Sequence, residues 1–219
     1  MGPRRIRSRG IAALIVCTVV LGADRRVGAQ TAAVSQAENG RGETAGKLVA
    51  GAAVALGAHE GAHLLFDALF DVRPRVKQVS FAGIPFFAIA HRPDLSPRRE
   101  FTVSSAGFWA QHGISEWLLT DHPALRHERA PFAKGLLTFN LLASTAYAGA
   151  AFAKVGPSER DTRGMAMASG IDERWIGALI LAPAVLDAYR YFRPGADWAR
   201  WSSRAIKAGA VLLVARKSG

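Results

Sequence analysis

Leu48 to Phe70 reads LVAGAAVALGAHEGAHLLFDALF. Its 23 residues are broken only by His59, Glu60, His63 and Asp67. As a helix rising 1.5 Å per residue it would extend about 34 Å, enough to cross a bilayer core. Two His and a Glu halfway along such a helix are costly unless something pairs them. The stretch therefore predicts a membrane helix with a polar centre built into it.

Other runs repeat the pattern. Leu136 to Phe152, LLTFNLLASTAYAGAAF, has Asn140 as its one strongly polar side chain. Asn140 would serve either an interhelix bond or a substrate backbone. Trp175 to Phe192, WIGALILAPAVLDAYRYF, carries Trp and Tyr residues suited to membrane interfaces and an Asp187 out of keeping with its surroundings. Val103 to Leu119 is a weaker fourth candidate. Ala205 to Ala215 has only 11 residues and reads as a re-entrant or surface helix. Gly51, Gly57, Gly61, Gly149 and Gly177 would let helices approach closely. The expected fold is an all-α membrane protein, a small bundle of about four transmembrane helices. A short β-rich or re-entrant segment follows the first helix: residues 71–101 read as two short strands or a membrane-dipping loop. Irregular backbone cannot face lipid, so this segment must pack on protein or lie at the surface.

Three parts of the chain are expected. Residues 1–29 begin with Arg4, Arg5, Arg7 and Arg9, then an apolar run from Ile11 to Gly22 of 12 residues. That is a secretory signal or hydrophobic anchor, short for a span. Residues 30–47 are polar and aperiodic and read as a tether. Residues 48–219 form the membrane-embedded helical domain. Arg73, Arg75 and Lys77 directly follow the first body helix, which puts that end in the cytoplasm and the tether outside.

Composition narrows the chemistry. The chain has 219 residues, half of them hydrophobic, so disorder throughout is excluded. A soluble Ala-rich helical domain would have to explain three long apolar runs in so small a chain. Cys17 is the single cysteine, so an intrachain disulfide and a Cys-rich metal cluster are excluded. Any metal must sit on His, Asp or Glu. The net charge of +11 suits anionic lipid. The basic residues are scattered between apolar runs without a recognition motif, so nucleic acid is not an expected partner.

His59-Glu60-Gly61-Ala62-His63 is an H-E-x-x-H pattern on a helix. The two His are one turn apart, so both imidazoles can reach one ion. Glu60 stands beside the first ligand, where it can take a proton from an attacking water and return it to a leaving group. Two His leave the ion under-coordinated, and the further candidates are Asp187, His112, Glu116, Asp67 and His91. Asp187 is favoured, because it lies as deep in its run as the two His do in theirs, and an unpaired carboxylate there would be expensive. His112 and Glu116, one turn apart, come next. Asp67 is better placed as an outer partner of His63. An alternative for the whole motif is a polar knot that packs helices or carries protons.

The pattern resembles the intramembrane zinc metalloproteases of the site-2 type. The matching pieces are the H-E-x-x-H, the following LLFDALFDVRPRVKQVSFAGIPFF, Ser105 to Gln111, and LAPAVLDAYRYF around Asp187. The resemblance implies Zn2+ held by His59, His63 and Asp187, with Glu60 as general base. It implies an endopeptidase hydrolysing peptide bonds with metal-activated water, acting on a membrane or membrane-proximal protein. The chain departs from the family at Leu186-Asp187-Ala188, where the family has Leu-Asp-Gly. It also has Phe108 for the Pro of Ala-Gly-Pro, and Gln111 for Asn. These departures leave room for a noncatalytic membrane scaffold or metal-binding factor. A metal-dependent hydrolase of lipid-linked substrates is the third expectation.

Overall fold

Among the described residues, the apolar runs beginning at Leu48, Val103, Leu136, Trp175 and Ala205 lie in helices, and the segment after the first becomes a hairpin. The computed structural model describes residues 30–81, 84–90 and 95–218. The expected signal or anchor and His91 lie outside them. The elements are α1 (Gln30–Leu69), β1 (Arg75–Phe81), β2 (Ile84–Ala90), α2 (Pro97–Asp121), a 3-10 turn (Leu125–His127), α3 (Pro131–Ala153), α4 (Asp161–Ser169), α5 (Glu173–Phe192) and α6 (Asp197–Ser218). The strands pair antiparallel, with Arg75 opposite Ala90 and Phe81 opposite Ile84. α1 begins inside the expected tether, and from Gly40 to Ala50 its residues are exposed. α4 lies in a stretch where no helix was expected.

Local chemistry sets the ends. Pro97 and Pro131 open α2 and α3, where a missing N–H leaves nothing unpaired. Asp172 caps α5 by accepting from the Arg174 N–H at 2.9 Å. α4 stops at Gly170, whose φ of +71° most side chains resist.

α1 and α3 touch backbone to backbone. A Cβ at Gly135 would lie 2.0 Å from the Leu48 carbonyl oxygen, and one at Gly51 would lie 2.1 Å from that of Phe132. Glycine at both positions is what brings the helices this close. α2 and α3 are joined by Asn140, whose Nδ2 donates to the Gln111 carbonyl and to Ser115 Oγ, each at 3.1 Å. Asn140 is therefore an interhelix clamp. α3 also packs along α5, and α5 along α6.

Polar groups are buried beside an apolar core that includes Phe108, Leu118, Leu137 and Ile176. Asp67, Gln111, Ser105, Ser203 and Asp187 are fully buried. Leu65, Leu69, Leu142, Trp175, Trp201 and Leu212 are exposed. Among the described residues, two helices are long and apolar enough to cross a membrane, Gly40–Leu69 and Pro131–Ala153. α2 and α5 form where two further spans were expected but are not among these. α2 carries Arg98, Arg99, Glu100, Glu116 and Asp121, and α5 carries Glu173, Arg174, Asp187 and Arg190.

The α1–α3 contact gives a first prediction. Gly135→Leu should overpack it and destabilise the fold by about 1–3 kcal/mol. Gly149→Leu, with nothing within 4 Å of its added Cβ, should not. Thermal unfolding in detergent, followed by circular dichroism, compares them. Equal melting would mean that the two backbones do not meet.

Candidate metal centre

His59 and His63 sit one turn apart on the inner face of α1, and both are buried. Glycine makes room for the first. A Cβ at Gly107 of α2 would fall 2.3 Å from His59 Cε1, so the ring lies flat against bare backbone. Phe108 and Tyr147 enclose it, with ring centroids 5.5 and 5.8 Å from that of His59. His63 is oriented by α2: its Nδ1 donates to the Val103 carbonyl at 2.7 Å. That bond turns Nε2 towards His59 Nε2 and the Asp161 carboxylate.

The third donor is Asp161, at the start of α4. Its Oδ2 lies 3.3 Å from His59 Nε2 and 3.5 Å from His63 Nε2, and the two Nε2 atoms are 3.2 Å apart. A tetrahedral zinc site with ligands at about 2.05 Å has donor–donor edges of about 3.3 Å. The triangle therefore has the dimensions of three corners of such a tetrahedron. Among the described residues this group of His, His and Asp could hold a metal ion. Burial by itself would raise the Asp161 carboxyl, but the His63 and His59 rings outweigh it and hold the group below the ordinary carboxylate range. Asp161 thus offers an anionic oxygen to a cation.

Glu60 is half-buried beside the pair, close enough for its charge to act on His63 and Tyr147. Asp161 and His63 also line a cleft of about 320 Å³, bordered by Glu100, Ser104, Gly164 and Met167. A molecule approaching these two donors would enter from there.

Asp187, expected as the third ligand, does not join this group. It is fully buried, but it accepts from Lys207 Nζ at 2.7 Å, Ser203 Oγ at 2.7 Å and Arg190 Nη1 at 3.1 Å. Protein cations neutralise the carboxylate that the depth argument assigned to a metal. Glu116 belongs to the same network, accepting from Arg190, Arg204 and Lys207. His112 is buried next to it, with Nε2 making no hydrogen bond. Asp67 is fully buried one turn beyond His63 and borders the cleft. Asp161 escaped the sequence reading because Ser158 to Gly164 is polar and contains Arg160 and Arg163 close to it. The one available signal was an acidic residue opening a short helix.

Comparison with protein-family models, with curated proteins and with solved structures finds no match.

Two substitutions separate the carboxylates. Asp161→Ala should reduce metal content well below one ion per chain. Asp187→Ala should keep the metal but lower the melting temperature, because it leaves Lys207 and Arg190 buried with less negative charge. Elemental analysis of purified protein, paired with thermal unfolding, reads both. The reverse pattern would return the third ligand to Asp187.

Proposed function

We propose that the protein is a membrane-embedded, zinc-dependent endopeptidase of the site-2 type, with α1, α2, α3 and α5 crossing the bilayer and the first segment directing insertion into the cell membrane. One observation carries this reading: two imidazole nitrogens and a carboxylate oxygen form a zinc-sized triangle within an apolar helix bundle, beside Glu60. Asp161 takes the place that the family resemblance gave to Asp187.

A zinc ion bound there would polarise a substrate carbonyl and make water a competent nucleophile near neutral pH. His59, His63 and Asp161 would hold it, and the Val103 carbonyl keeps the His63 ring in register. Glu60 accepts the proton of the attacking water and delivers it to the departing amine. The substrate is a membrane or membrane-proximal protein whose scissile segment enters the cleft bordered by Glu100 and Met167. A carbonyl locked in helical hydrogen bonds is closed to attack, so that segment must unwind first.

Glu60→Gln tests the reading. The amide keeps the shape and loses the base, so hydrolysis of a reporter membrane peptide should fall by about 10²–10⁴-fold. Bound zinc should stay at the wild-type level. Unchanged hydrolysis would remove the general base from the account, and a cellular role that survives intact would favour a noncatalytic scaffold.

A further inference from the structure

Asp161 is the least anchored of the three donors by its own backbone. His59 and His63 ride on a long helix, whereas Asp161 opens a helix of nine residues. A helix that short has little stability of its own. Its N-cap, Arg160, provides no side-chain cap. Something else must fix the carboxylate.

The residues on either side of Asp161 are bound to a single group. Arg160 donates Nε to Glu173 Oε1 and Nη2 to Glu173 Oε2, both at 2.7 Å. Thr162 Oγ1 donates to Glu173 Oε1, also at 2.7 Å. The third arm of the guanidinium, Nη1, donates to the Pro157 carbonyl at 3.0 Å and so gathers the incoming turn. A forked guanidinium–carboxylate pair fixes direction as well as distance. Thr162 is fully buried and Glu173 nearly so. Glu173 itself sits in the first turn of α5, where a negative charge suits the helix dipole.

We propose that Glu173 is the positioning residue for Asp161: it brackets the chain on both sides of the ligand and presents the carboxylate to the two imidazoles. The inference rests on the metal-site reading above. Glu173 is outside the donor group and the cleft lining, so it would act through Asp161.

The experiment uses the full chain in detergent, with Zn2+ affinity measured against a competing chelator and Co2+ absorption reporting ligand geometry. Glu173→Gln and the milder Thr162→Val are each made in the wild-type and in the Asp161→Ala background. In the wild-type background both should weaken metal binding, Glu173→Gln by about 10–100-fold, and alter the Co2+ spectrum. In the Asp161→Ala background, neither should weaken the remaining two-histidine site further. Should Glu173→Gln fail to fold, Thr162→Val carries the same comparison. Unchanged affinity in the wild-type background, or an equal loss in both, would make the bracket merely structural and overturn the proposal. A wild-type chain that binds no metal would instead overturn the site itself, and the inference with it.

Discussion

Three donor atoms held within 3.5 Å of one another are the constraint around which this bundle is arranged. Two come from one turn of α1 and the third from a short helix about a hundred residues later. Much of the packing can be read as a consequence. Gly107 is bare so that an imidazole can lie on α2, and Val103 gives up its carbonyl to hold the second ring. Gly51 and Gly135 draw α3 against α1, and α3 supplies Tyr147 to the wall of the site. A buried carboxylate here is balanced by positive charge, which the imidazoles or a bound cation can supply.

The bundle buries a second polar centre and neutralises it differently. Asp187 and Glu116 face Arg190, Arg204 and Lys207, so protein cations balance protein anions without a metal. This network ties α2, α5 and α6 together. The first centre opens to a cleft, and its carboxylate faces the two imidazoles and the Tyr147 hydroxyl. That difference separates a candidate metal site from a staple.

The helices were legible because apolar runs are long and continuous in this chain; the hairpin was legible as one of two readings, because a roughly alternating piece is followed by a short apolar run. The histidine pair was legible because its spacing matches one helical turn. Asp161 was not, because its segment is short and polar, and only three-dimensional packing carries it to α1. Asp187 misled for a physical reason. Its depth was read from one helix alone, while its partner Lys207 lies on α6, which read as an apolar re-entrant or surface piece. A buried carboxylate asks for a positive charge, and the sequence does not say whether that charge is an ion or an ammonium.

X-ray absorption at the zinc edge of the purified, zinc-loaded chain tests the central claim most directly. The account predicts a shell of nitrogen and oxygen donors at about 2.0–2.1 Å with the outer scattering of two imidazoles. A spectrum of hydrated zinc without imidazole scattering would contradict it.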